Sequence, residues 1–147
     1  GIHRAFDEAG LPHPTDLVRL NAGDADSIMR ITQDLLSGPD AATAIIASDG
    51  LIALSVVEAI QQSGRSVPQD VSLLMYDDFA WTRLTTPPLT VISQPVYDMG
   101  IAAASALIRQ IEGRKAAGPG PDLVATLIKR GSVGAPKDAE VLSQAGG

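Results

Sequence analysis

The chain contains no cysteine, which excludes disulfide staples and thiolate metal sites and is compatible with a reducing compartment. Aromatic residues make up only 3% of it, so a core has to be built from Leu, Ile, Val and Ala, the mixture common in layered α/β proteins with buried strands. Basic residues are also few: eleven Lys and Arg stand against seventeen Asp and Glu, for a formal charge of −6. They are scattered, with Arg114-Lys115 and Lys129-Arg130 the only adjacent pairs, and leave no footprint for a polyanion. No apolar run reaches the roughly 18 to 20 residues that a bilayer span requires, and no leader of charged, apolar and small residues stands at the start. What the chain does have is 45% hydrophobic residues in a length of 147, enough for one domain with a sizeable core. It starts at Gly1 inside what reads as a helix, which leads us to expect a truncated chain, with the cytoplasm as its compartment.

Residues 2–9 read as the end of a helix stopped by Gly10, and Leu11-Pro12-His13-Pro14 forces an extended connection. A short strand is expected over residues 16–20. Beyond Asn21-Ala22-Gly23-Asp24, residues Ile28, Ile31, Leu35 and Leu36 fall three to four apart and predict one apolar helix face, with Asp24 or Asp26 as its cap. The run Ala44-Ile45-Ile46-Ala47 is too short for a helix and is expected to form a buried parallel strand. The spacing of Leu54, Val57 and Ile60 then predicts a helix closed by Gly64. A second strand is expected at 71–76 and a third at 89–93, after Pro87-Pro88. Val96, Met99, Ala103, Leu107 and Ile111 mark an amphipathic helix. Residues 113–122 read as a polar loop, 123–128 as a last strand, and the remainder after Val133 as a mobile tail. Strands alternating with helices argue for an α/β fold, a parallel sheet with helices on both faces and right-handed crossovers.

In an open parallel sheet, ligands bind beyond the carboxyl ends of the strands. Two of the expected strand ends carry acids, Ser48-Asp49-Gly50 and Asp77-Asp78. Carboxylates accept strong hydrogen bonds, which suits a ligand with adjacent hydroxyls such as a sugar. The same acids would equally suit plain caps for the helices that follow. Enzyme chemistry lacks its marks: there is no G-x-S-x-G, and His3 and His13 lie near the start, away from any nucleophile motif. With no Cys and no H-E-x-x-H, the histidines form no recognisable metal site and read as surface residues. Gly118-Pro119-Gly120-Pro121 lacks the Gly-Lys-Ser/Thr ending of a phosphate-binding loop and reads as a connector. No catalytic residue, metal or cofactor is therefore expected.

Three groups of motifs carry a resemblance. The first is Thr43-Ala44-Ile45-Ile46-Ala47-Ser48-Asp49 with Leu51-Ile52-Ala53-Leu54; the second is Gly64, Val67-Pro68, Asp70-Val71-Ser72 and Tyr76-Asp77-Asp78. The third is Pro87-Pro88-Leu89-Thr90, Gln94-Pro95, Gly100 and Arg130-Gly131-Ser132. Their order and spacing resemble the LacI/GalR family of transcription regulators over roughly residues 1–133. The resemblance implies a sensing module of the periplasmic-binding-protein-like type I fold: two α/β subdomains joined by three chain crossings, with the effector between them. The chain would hold only part of that module. Residues 1–93 and 123–133 would belong to the C-terminal subdomain, about 96–112 to a helix of the N-terminal subdomain, and 134–147 to a flexible tail. The helix-turn-helix, the hinge helix and most of the N-terminal subdomain would precede Gly1, so operator DNA would be bound only through that missing part. A sugar or sugar-like effector is implied. A periplasmic sugar-binding protein of a transport system, which shares the fold, is the alternative.

Carried across residue by residue, the family pattern places Asp49 where an effector-contacting Asn is common. It places Asp77 where a carboxylate commonly receives hydrogen bonds from the effector, and Gln94 at a crossing, where it would serve the pocket or the hinge. Gly50 replaces the Asp usual after that Asn, and Met75 replaces the Gly usual before the aromatic–Asp pair. No aromatic stands between Asn21 and Ser27, where the family often stacks one on its ligand, and an effector-gripping Arg would lie upstream of Gly1. Family dimers pair through the surfaces corresponding to helix 51–62 and loop 81–85. This implies Leu54, Gln62, Trp81, Leu84 and Thr85 at a homodimer interface, with core filling as the other role open to them.

Overall fold

The computed structural model describes residues 1–13, 15–20, 23–114 and 120–135. In chain order its elements are α1 (Ile2–Glu8), a 3₁₀ turn (Thr15–Leu17), α2 (Ala25–Leu35), β1 (Ala44–Ala47), α3 (Gly50–Gln62) and β2 (Ser72–Tyr76). A second 3₁₀ turn (Ala80–Arg83), β3 (Thr90–Ser93), α4 (Val96–Ile111) and β4 (Thr126–Ile128) complete them. The sequence expectations at Pro14, at Asn21-Ala22, over 115–119 and over 136–147 lie outside the described residues.

Strands β1, β2 and β3 run parallel in that order, with Ala47 opposite Met75 and Tyr76 opposite Ile92. Period-2 alternation sends Ile45, Ala47, Leu73, Met75 and Val91 to one face, where all five are buried. Helix α3 crosses from β1 to β2 over this face and lays Ala53, Val56 and Ile60 on it. Helix α2 starts at Asp24, whose carboxylate accepts from the Ser27 amide at 2.7 Å. It turns Ile28, Thr32 and Leu36 inward, one helical turn apart. The fully buried Ala53 and Ala59 let the two helices approach closely. Each large aliphatic buried here contributes about 1.5–3 kcal/mol.

Three expectations are corrected. Residues 16–20 form no strand, because nothing pairs with them and a lone strand leaves its backbone groups unbonded. The last strand is shorter than 123–128 and runs antiparallel to β3, with Thr126 opposite Ser93. The reason is topological: α4 leaves from the carboxyl end of β3, the chain returns to the same end, and from there it can only run back down. Among the described residues, helices pack on one face of the sheet and not on both. On the other face Ile46, Leu74 and Leu127 line an open concavity of about 420 Å³, and neither α1 nor α4 has a buried residue. Leu54, expected at a dimer interface with core filling as the other role, is 45% exposed.

The segment after β4 is stitched into the sheet. Ser132 sits between the amino ends of β2 and β3: its carbonyl accepts from the Leu73 amide at 2.8 Å. Its hydroxyl donates to the Leu73 carbonyl at 2.5 Å and accepts from the Thr90 amide at 2.8 Å. Gly134, at the start of the expected tail, exchanges bonds with the Ser72 hydroxyl, so residues 134–135 continue the ordered segment.

Candidate functional site

The register brings together the residues that follow three strands. Asp49 stands two past Ala47 on β1 and Asp77 two past its partner Met75 on β2, while Gln94 stands three past Val91, the β3 partner of Met75, and so lies one residue farther along. With neighbouring strands about 4.8 Å apart, the three residues form a row across the carboxyl edge of the sheet.

Asp49 caps α3: its Oδ1 accepts from the amides of Leu51 and Ile52 at 2.9 and 3.0 Å. The capping role open to it in the sequence is therefore real, and Oδ2 has no partner among the described residues. Asp77 is different. It is the one non-glycine residue described with positive φ, at 73°, a conformation that costs an ordinary side chain roughly 1–2 kcal/mol. Its amide donates to the Ile92 carbonyl at 2.9 Å and its Oδ1 accepts from Gln94 Nε2 at 2.7 Å. Strain of this kind persists where surrounding bonds over-determine it, and it clusters at ligand sites. Here both bonds come from β3 and its extension, so the β2 loop is held to the β3 loop at the residue that carries the acid.

Asp78, next in the chain, points the other way, into an ion-pair network that the sequence did not reveal. Arg130 Nη2 lies 2.7 Å from its Oδ1, Arg83 Nη2 lies 2.8 Å from its Oδ2, and the Thr82 hydroxyl donates to Oδ1 at 3.0 Å. Side-chain exposure is 9% for Asp78 and 14% for Arg130. Arg130 also donates to Thr82 Oγ1 and to the Leu89 carbonyl, both at 2.9 Å. The hydrogen bond from Arg130, followed by that from Arg83, lowers the Asp78 pKa from 3.8 to about 2. Asp78 is thus a fixed anion that pins the loop after β2 to the segment after β4.

Phe79 follows. Its carbonyl is held by the Thr82 amide at 3.1 Å and the Thr82 hydroxyl at 2.7 Å. Its ring lies over Gly50, where a Cβ would come within 2.3 Å of Cε2. The departure from the family pattern at Gly50 thus has a local reason: any side chain there would evict the ring. Neither this contact nor the Arg130 network has a short-range signal, since the partners lie 29 and 52 positions apart.

Of the residues proposed for pairing, Leu84 is 83% exposed and Leu54 half so, and both present apolar surface to water. Gln62 is exposed and donates to Glu58 at 3.2 Å. Trp81 packs partly on the core, and the Thr85 hydroxyl is used within its own turn, on the Thr82 and Pro87 carbonyls at 3.1 and 2.9 Å. Core filling thus describes Trp81 at least in part. His3 and His13 stack with ring centroids 4.8 Å apart, and His13 is 2.7 Å from Asp7. They are surface residues at the α1 end. Among the described residues no group of His, Cys, Asp or Glu is arranged to hold a metal ion, and no helix is long and apolar enough to cross a membrane.

Comparison with known proteins gives a consistent picture. The sequence model of the family described as periplasmic binding protein-like domain matches residues 1–133. The "Probable opine utilization operon repressor" of Rhizobium rhizogenes is 38% identical over 134 residues, 90% of this chain and 68% of that protein. Among solved structures, the fold is similar to a sugar-binding transcriptional regulator of the LacI family from Escherichia coli complexed with phosphate. That match has a TM-score of 0.76 and 27% identity, covering 91% of this chain and 48% of that one. It is similar too to a LacI family transcriptional regulator from Enterococcus faecium with bound ribose, with TM-score 0.76 and 26% identity over 89% of this chain and 48% of that one. The chain spans about half the length of these two structures.

Proposed function

The chain belongs to the periplasmic binding protein-like family of LacI/GalR transcription regulators, and from that premise we propose that it is the effector-sensing portion of such a regulator, with a sugar as effector. The observation that carries the reading is the geometry at Asp77. A carboxylate on a left-handed backbone, held by one bond to β3 and one from the Gln94 amide beyond it, is a pre-set acceptor for hydroxyl groups at the sheet's carboxyl edge. Asp49 contributes its second oxygen from the adjacent loop. The row is one wall of a cleft, and the opposite wall belongs to a second subdomain. The exposed apolar stripe of α4, at residues 96–112, packs on that subdomain in the whole protein. Ligand bound between the walls stabilises one arrangement of the subdomains over another and so changes operator affinity, which is exerted through a DNA-binding segment outside this chain. The relatives named above are a repressor and two regulators, which supports a cytoplasmic regulator over a transport receptor or an enzyme. Exposed Leu54 and Leu84, with the edge of Trp81, Gln62 and Thr85 around them, supply the contact of a homodimer.

The test is calorimetric. Removing a charged acceptor from a polar pocket costs about 1.5–3 kcal/mol, or one to two decades in affinity. In the full-length protein Asp77→Ala is expected to weaken a sugar found by thermal-shift screening by that amount. A folded variant with unchanged affinity would refute the assignment.

A further inference from the structure

We propose that Phe79 is the apolar floor of the effector site, seated by the missing side chain of Gly50, and that it selects a cyclic sugar over an open-chain ligand with the same hydroxyls. The proposal rests on the effector reading above and deepens it. The chain has five aromatic residues other than histidine, two Phe, two Tyr and one Trp, and Trp81 is packed on the core. Phe79 is 45% exposed, directly after the acid pair Asp77-Asp78. It reaches from the loop after β2 across to the loop after β1, where its ring rests on buried Gly50, the neighbour of Asp49. One side of the ring is therefore occupied by Gly50, next to Asp49, and the half-exposed ring is carried two residues after Asp77.

The backbone that carries the ring is also held. Thr82 bonds the Phe79 carbonyl twice, and Asp78, one residue before it, is fixed by Arg130 and Arg83. A half-exposed phenyl on a rigid loop, flanked by hydroxyl acceptors, has the chemistry of a site for a molecule with one flat C–H face and a polar rim. A pyranose or furanose ring has that form. An alditol carries the same hydroxyls without the face, and it loses rotameric freedom on binding. Two neighbouring carboxylates further favour a neutral ligand over a carboxylate-bearing one.

The experiment uses full-length protein with D-ribose, D-glucose and D-galactose, and with the alditol of each, by thermal shift and calorimetry. We expect at least one sugar to bind at least tenfold more tightly than its alditol. Phe79→Ala and Phe79→Leu should each lower its affinity tenfold or more, whereas Phe79→Trp keeps it. Leu retains the contact over Gly50, so the Leu variant separates loss of the aromatic face from loss of folding. Gly50→Ala should weaken binding as Phe79→Ala does, because it displaces the ring without removing a hydrogen-bonding group. A sugar whose affinity falls with Asp77→Ala but not with Phe79→Leu overturns this inference alone, as does an alditol that binds as well as its sugar. Failure of all three sugars to bind overturns the sugar reading of the site and this inference with it.

Discussion

Replacing Asp78 by Asn tests whether the loop after β2 is anchored by charge. The wild-type carboxylate is 9% exposed, with Arg130 and Arg83 at 2.7 and 2.8 Å. Its pKa is lowered from 3.8 to about 2, which at about 1.36 kcal/mol per unit corresponds to about 2 kcal/mol of stability. The sign follows from the direction of the shift. A folded-state pKa below the unfolded one means that the unfolded chain binds the proton more readily. The contribution is therefore complete above about pH 4 and lost as pH falls toward 2, with about half gone by pH 3. Urea unfolding of wild type and Asp78→Asn should differ by about 2 kcal/mol at neutral pH, and the gap should narrow steadily below pH 4. Arg130→Met should cost more, roughly 3–5 kcal/mol, because it leaves a buried carboxylate with one exposed partner and also strips Thr82 and the Leu89 carbonyl of a donor. The double variant Asp78→Leu/Arg130→Met should recover much of that loss. A gap between wild type and Asp78→Asn that stays constant from pH 7 to pH 3 would refute the electrostatic account and leave only a packing role.

Two further outcomes are expected. Ser132→Ala removes the acceptor of the Thr90 amide and the donor to the Leu73 carbonyl, both deep between strands, and should destabilise the protein by about 1–3 kcal/mol in chemical denaturation; a loss under 0.5 kcal/mol would mean that the strands close without it. Leu54→Lys with Leu84→Glu should yield a folded monomer in sedimentation of the full-length protein, because the two exposed leucines are its proposed apolar contact; a dimer of unchanged affinity would place the interface elsewhere.

Much of the fold was legible because its signals are local. Asp24 and Asp49 each meet amides two or three residues ahead, so capping could be read directly from spacing. The strand at Ala44–Ala47 was marked by its length and by Ser48-Asp49-Gly50 beyond it. Residues 16–20 had strand composition but no neighbour, and composition cannot supply one. On α3 the core takes Ala53, Val56 and Ile60 with Val57 packed beside them, whereas Leu54, on the same helical period, is half exposed; periodicity alone does not say which edge of an apolar stripe is covered. Asp77 was singled out from its place after a strand, whereas its left-handed backbone follows from Gln94 and Ile92, far along the chain. Phe79 on Gly50 and Arg130 on Asp78 are likewise pairings that only the folded topology creates.

The Ser132 stitch also governs the order of assembly. The bonds that seat this residue join it to Leu73 and Thr90, 59 and 42 positions earlier, so during synthesis β2 and β3 emerge from the ribosome well before the residue that fills the gap between their amino ends. Until Ser132 has been translated and has cleared the exit tunnel, the Leu73 and Thr90 amides are without their final acceptors. The closure is the kind of long-range contact that slows folding. The sheet is therefore completed only after Ser132 has emerged, and emergence of this residue, not of the strands, sets the earliest moment at which the site at the opposite edge stands on a finished scaffold.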